Sequence, residues 1–163
     1  MRAGYHVAVS AGISTGLQVI LHSWPATIGC FFSGILLDLD HILEYYLIRK
    51  KLPFSYRDLV DFCLYDKGGK IYLFLHAYEL LLALWILIGF LSLGKVWLGI
   101  AIGLTVHVVC DQWANPIKPL FYFLTYRINN KFEKTRILSA RYFQRSKAIP
   151  SPWWGGQGRG ENR

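Results

Sequence analysis

The sequence is poor in charged residues and in cysteine. Only 17% of its 163 residues are charged, 53% are hydrophobic, and the mean hydropathy is +0.30, whereas a soluble domain carries about 25% charge. The three cysteines are odd in number and show no Cys-x-x-Cys spacing, which indicates neither a disulfide framework nor a thiolate zinc site. Six prolines and 15 glycines are too few for a fibrous or low-complexity chain. The composition therefore predicts one compact domain that lies in a membrane.

The positive charge is concentrated near the C-terminus. Residues 1–126 hold nine Lys and Arg against eight Asp and Glu, whereas residues 127–163 hold nine against two. We therefore predict a membrane-embedded helical domain over 1–126, and a basic interfacial segment with a disordered C-terminal tail over 127–163. A basic tail beside hydrophobic stretches is typical of contact with anionic headgroups. Membrane lipids are the expected partners, and no nucleic acid is expected.

Hydrophobic stretches recur at 6–21, 26–48, 71–93 and 96–110. The third is the cleanest, because its 23 residues contain one formal charge and about 20 residues cross the hydrocarbon core. The pattern predicts an all-α polytopic membrane protein with about four transmembrane helices and amphipathic interfacial segments, one of them at 49–70. The basic residues place that segment and both termini on the cytoplasmic side by the positive-inside rule.

Ionisable side chains gather toward the predicted cytoplasmic ends of these helices, within roughly 15 Å of one membrane face at 1.5 Å per residue. A carboxylate inside a membrane costs about 2.5 to 3.5 kcal/mol, so a bound cation is expected to compensate. Histidine with aspartate suits zinc, and manganese or iron are the alternatives. The side chains concerned are His6, Asp38, Asp40, His41, Glu44, His76, Glu79, His107 and Asp111.

Spacing within the fourth stretch supports this interpretation. His107 and Asp111 are four residues apart and share a helix face. Gly99 and Gly103 extend the same stripe, which predicts a small-residue face for close helix packing. In the second stretch Asp38 lies about 160° from Asp40 on a regular helix, so we expect Asp40 as the ligand and Asp38 as an outer residue or cap.

Each of these features also has an interpretation without a metal. His6 and the His107–Asp111 pair can form interhelical hydrogen bonds. Asp38 can cap a helix end near the headgroups, and Glu79 can be a protonated acid bonded to a neighbouring helix. The metal interpretation depends on four of the five histidines meeting at one membrane face with a carboxylate beside each.

The motifs GYH at 4–6, LLDLDH at 36–41, LHAYE at 75–79 and HVVCD at 107–111 resemble, in order, those of the YdjM-like family of bacterial inner-membrane metal-dependent hydrolases. Leu37 stands where that family has proline, and Ile71 with Tyr72 stands where it has His-Arg. More remotely, the pattern is similar to the all-helical zinc-dependent phospholipase C and nuclease group, which implies phosphoester hydrolysis. The resemblance assigns the polar site to His6, Asp38, Asp40, His41, His76, His107 and Asp111.

We therefore expect a metal-dependent hydrolase in the bacterial inner membrane that acts on a phosphoester, either lipid-linked or small. Glu79 or Asp38 is the expected general base. Two other functions stay open, namely transport of protons or metal ions and a non-catalytic membrane scaffold. Transport requires polar groups through both leaflets, and the outer halves of the predicted helices are apolar. The predicted metal ligands are His6, Asp40, His41, His76, His107 and Asp111.

Overall fold

The computed structural model of the protein describes residues 3–52, 55–65, 69–115 and 117–148. These residues are mostly helical, and the only β-pairing among them is two isolated bridges. The all-α prediction is confirmed. The helices in chain order are α1 (Ala3–Leu21), α2 (Trp24–Leu36), α3 (Asp40–Arg49), α4 (Tyr56–Tyr65), α5 (Tyr78–Phe90), α6 (Lys95–Ala114), α7 (Leu124–Asn129), α8 (Lys134–Ile137) and α9 (Ala140–Ala148).

A 3₁₀ turn at Leu37–Leu39 joins α2 to α3, so that Trp24–Arg49 forms one continuous helical segment. Pro25 stands in the first turn of α2, where its missing N–H leaves no helical hydrogen bond unmade. The segment ends where Lys50 takes a left-handed φ of 56°. Within the described residues, this segment and α6 are long and apolar enough to cross a membrane.

The predicted span at 71–93 is helical only over Tyr78–Phe90, so the expectation of one continuous helix is wrong for its first seven residues. Carboxylates of α3 accept hydrogen bonds from backbone N–H groups in the segment before α5. The Glu44 carboxylate accepts from the N–H of Tyr72 at 2.9 Å, and Asp40 accepts from the N–H of Leu75 at 2.8 Å. At 13 residues, α5 is about 20 Å long, shorter than the hydrocarbon core of about 30 Å.

Helix α2 packs against α6 and against α1, and α1 also contacts α6. Glycines on α6 allow the closest approach: a Cβ at Gly99 would collide with the backbone of Ala26, and one at Gly103 with the backbone of Cys30. The predicted small-residue face is confirmed. It matters for the site because Asp38 lies in the turn that follows α2 and Asp111 lies in α6 itself.

Residues that follow the membrane-length helices pack into the same core as those helices. Ile137 and Leu138 are buried together with Leu37 and Val108. The predicted boundary between 126 and 127 falls inside this packed region. The predicted disordered tail, residues 155–163, lies outside the described residues.

Candidate metal centre

Two groups of potential metal ligands meet at one end of the helices. The four-ligand group contains His6, Asp38, His107 and Asp111, and the three-ligand group contains Asp38, His41 and His76. In each group the ligand atoms lie within 4.8 Å of one another. Five of the six residues come from α1, α3, α6 and the turn between α2 and α3, and His76 comes from the segment before α5. A centre of this kind can hold a divalent metal ion.

Three members of the four-ligand group are buried, and the fourth, Asp38, is partly exposed. His6 Nε2 lies 3.1 Å from Asp111 Oδ1, and His107 Nε2 lies 3.4 Å from Asp38 Oδ1 and 3.7 Å from Asp111 Oδ2. The rings of His6 and His107 are stacked with their centroids 3.9 Å apart. These short separations bring two imidazoles and two carboxylates to one point, which is the donor composition that zinc accepts.

The backbone orients His107 for coordination. Its Nδ1 lies 2.7 Å from the carbonyl oxygen of Gly34. Because a carbonyl can only accept, Nδ1 carries a hydrogen, and Nε2 is the nitrogen left for a metal. Nε2 is buried and makes no hydrogen bond. A buried imidazole nitrogen with an oriented free lone pair is what a metal ligand requires.

The Asp40 carboxylate orients the imidazole of His76, as the carbonyl of Gly34 orients that of His107. The His76 Nδ1 atom lies 3.2 Å from Asp40 Oδ2, while the buried Nε2 makes no hydrogen bond. Burial lowers the pKa of His76 below its usual value, although the contact with Asp40 opposes that shift. His76 is fully buried and therefore favours the neutral form that binds metals. Carboxylate, histidine and metal in this order form a common ligand arrangement.

His41 stands at the edge of the centre. Its Nδ1 lies 3.5 Å from Glu44 Oε2, and its ring centroid lies 5.6 Å from that of His76. The side chain of His41 is 27% exposed and that of Asp38 is 32% exposed. The centre therefore opens to the outside at these two residues.

The 3₁₀ turn decides which aspartate joins the ligand groups. Asp38 belongs to both groups, whereas Asp40 belongs to neither and instead binds His76 and the N–H of Leu75. The sequence-based expectation has these two roles in the opposite order, because it assumes a regular helix through this region. The turn changes the angle between the two side chains, so Asp38 faces His107.

Glu79 lies away from both groups. Its carboxylate accepts hydrogen bonds from the backbone N–H groups of Leu124 and Thr125, at 2.8 and 2.9 Å, and from the Thr125 hydroxyl at 2.8 Å. These contacts serve the free N–H groups at the start of α7, as a capping residue does. The structure thus brings together His6, Asp38, His41, His76, His107 and Asp111 but leaves Glu79 outside the centre.

Arg127 is a residue of the site that sequence reasoning missed. Its side chain is fully buried, and its guanidinium donates to the carbonyl oxygens of Leu73 and His76. Burial lowers the pKa of this guanidinium below its usual value. Arg127 opens the basic segment and looks like one more interfacial charge in the sequence, and no motif spacing separates it from the basic residues that follow. In the structure it holds the backbone of the segment that carries His76.

The comparisons with known proteins add no family assignment. No family model matches the chain, and neither the curated proteins nor the solved structures contain a match to it.

Proposed function

We propose that this chain is a membrane-embedded, metal-dependent hydrolase that cleaves a phosphoester, as its resemblance to the YdjM-like family implies. One observation carries the proposal: His76 and His107 each have Nδ1 against an acceptor and a buried Nε2 that makes no hydrogen bond, and both belong to ligand groups that contain a carboxylate. Packing alone does not require the two imidazoles to be oriented in this way. It is what a catalytic metal site needs.

A membrane location is supported by the exposed apolar surface. Only 28% and 33% of the apolar segments in Trp24–Arg49 and Lys95–Ala114 are buried inside the chain. Large side chains stand fully outward, among them Phe90 at 85% and Trp113 at 87% exposure. Apolar surface of this extent indicates a lipid or protein covering. We propose four helical membrane segments, with α5 entering the bilayer only part of the way, in a bacterial inner membrane with both termini cytoplasmic.

The donor set fits a divalent ion. Two histidines and two aspartates form the four-ligand group, and this combination suits zinc first and manganese or iron next. The buried nitrogens without hydrogen bonds on His76 and His107 would each be costly without a partner. A bound divalent ion would polarise a phosphoryl oxygen and favour deprotonation of water near neutral pH.

The chain's own residues supply the proton transfer. In a one-ion centre His6, His107 and Asp111 would hold the ion. Asp38, the predicted base at the opening of the centre, would then accept a proton instead of binding the ion. In the proposed hydrolysis, the oxygen of a water molecule bonds to phosphorus and the P–O bond to the leaving alcohol breaks. Asp38 accepts the proton from the water and returns it to the leaving oxygen.

The substrate class follows from the position of the opening. Leu36 and Leu39, near Asp38 in the chain, are 49% and 54% exposed, whereas Leu37 between Leu36 and Asp38 is buried. An ester with an apolar portion can lie along such a surface while its phosphate reaches Asp38. We therefore propose a lipid or lipid-linked phosphoester as the substrate, with membrane lipids as the surrounding partners.

The test combines metal content with hydrolysis. Full-length protein in detergent is expected to retain zinc or manganese and to cleave a chromogenic phosphodiester, a phosphomonoester or a phospholipid in mixed micelles. His107→Ala/Asp111→Ala should lose hydrolysis and hold less metal, and His22→Ala, a histidine outside the ligand groups, should keep both properties. Protein that binds metal but cleaves none of the three substrates would overturn the hydrolase assignment, and protein that binds none would remove its basis.

A further inference from the structure

The second ligand group adjoins the first without being part of it. His41 and His76 form the three-ligand group with Asp38, the residue that also belongs to the four-ligand group. The rings of His76 and His107, one from each group, have their centroids 5.3 Å apart. Two sets of donors thus stand side by side with a carboxylate common to both.

We infer that the centre holds two divalent ions, with the Asp38 carboxylate bridging them. This inference rests on the proposed function for the four-ligand group and adds a second ion to it. A carboxylate between two ions is the usual way to hold them about 3.5 to 4 Å apart in two-metal hydrolytic sites. The two oxygens of Asp38 then serve the two ions, and this replaces its role as proton acceptor in a one-ion centre.

The environment of His76 supports a cation at the three-ligand group. Its Nδ1 is held by Asp40, and its Nε2 is fully buried without a hydrogen bond. Glu44 lies 3.5 Å from His41 and adds negative charge beside the same group. A second divalent cation would satisfy the buried nitrogen and offset these carboxylates together.

The two proposed ion sites differ in the solvent exposure of their ligands, and this difference indicates which ion the substrate reaches. His6, His107 and Asp111 are each at most 3% exposed, whereas Asp38 and His41 have side chains that are 32% and 27% exposed. Four protein ligands close a tetrahedral site, whereas three leave a position for water or substrate. The three-ligand group is therefore the ion site that the phosphate oxygen reaches.

The experiment uses full-length protein in detergent, stripped with a chelator and reloaded with Mn²⁺ alone. We expect about two ions per chain by mass spectrometry. We also expect an electron paramagnetic resonance spectrum of two exchange-coupled ions, because a shared carboxylate couples their spins. The His41→Gln variant should hold half as much manganese and show the spectrum of an isolated ion. The Asp38→Asn variant should weaken both sites, and His22→Gln serves as the matched histidine control.

The outcomes separate this inference from the proposed function. One ion per chain in the wild type that persists in His41→Gln and is lost in His107→Ala/Asp111→Ala would overturn the second site and leave the first. Two ions without magnetic coupling would overturn the bridge. No bound ion would overturn both proposals. Because the wild-type spectrum alone decides whether the ions are bridged, a variant that fails to fold does not prevent the decision.

Discussion

The Nδ1 atom of His107 lies 2.7 Å from the carbonyl oxygen of Gly34, and this contact joins α6 to the end of α2 beneath the ligand groups. Gly34 is buried, and a Cβ at this position would collide with the side chain of Ser10 on α1. The missing side chain thus lets three helices meet where His107 is oriented. The contact connects the packing of small residues to the chemistry of the centre.

Replacement of Gly34 should damage both packing and metal binding. In Gly34→Ala the new methyl group pushes Ser10 and shifts the carbonyl that holds His107. We expect a loss of about 1 to 3 kcal/mol in stability, as for other overpacked positions, together with weaker zinc affinity in a competition titration. Gly12→Ala is the control, because a Cβ there meets no atom within 4 Å. Equal zinc affinity in the two variants would contradict the proposed link.

The packing of α6 on α2 gives a prediction that separates stability from metal binding. The three atoms nearest to a Cβ at Gly99 are backbone atoms of Ala26, which cannot rotate away as a side chain can. Gly99→Ala should therefore lower the unfolding free energy by about 1 to 3 kcal/mol while the metal content per folded chain stays the same. Thermal unfolding in detergent measures the first and mass spectrometry the second. Gly89→Ala, where the added Cβ meets nothing within 4 Å, should show no such loss.

Arg127 should affect metal binding by holding the backbone of the segment that carries His76. Lysine keeps the charge at this position but cannot donate to the carbonyls of Leu73 and His76 with the same planar fork. We expect Arg127→Lys to lose about 1.5 to 3 kcal/mol of stability, the usual value of a hydrogen bond to a charged group, and to bind the second manganese ion less tightly. Arg141→Lys changes an exposed arginine in the same way and should have neither effect. An unchanged manganese titration in Arg127→Lys would show that Arg127 does not position His76.

Glu79→Gln distinguishes a capping role from a catalytic one. An amide side chain accepts through one oxygen only, so the N–H groups at the start of α7 lose one of their acceptors. We expect a loss of about 1 kcal/mol in stability with the metal content unchanged. A large fall in kcat without a change in the unfolding temperature would instead support Glu79 as the general base. Thermal unfolding and steady-state kinetics on the same preparation make the comparison.

Metal removal should destabilise the fold. An ion that binds the folded chain alone adds about 2.7 kcal/mol when its concentration is 100 times the dissociation constant. Addition of a chelator should therefore lower the unfolding temperature of the wild type, and resupplied zinc should restore it. The His107→Ala/Asp111→Ala variant, which keeps only the three-ligand group intact, should respond less to the chelator than the wild type does. If neither the chelator nor zinc changes the unfolding temperature of the wild type, the folded chain is not stabilised by a metal.

The positions along the chain that carry polar chemistry were accessible from the sequence. His107 and Asp111 share a face because a helix repeats every 3.6 residues, and Gly99 and Gly103 form a packing stripe for the same reason. The all-α class follows from hydrophobic stretches of helical length, and it is confirmed. These inferences succeed because they depend on local geometry and on the cost of polar groups among apolar ones.

Tertiary structure decided three features: the roles of Asp38 and Asp40, the start of α5 and the burial of Arg127. A 3₁₀ turn placed Asp38 in both ligand groups, and no periodicity in the sequence predicts that turn. The segment before α5 is not helical because Asp40 and Glu44, more than 25 residues away in the chain, accept its N–H groups. Hydrogen bonds between distant residues compete with local helix formation, and that competition is settled only when the chain is packed.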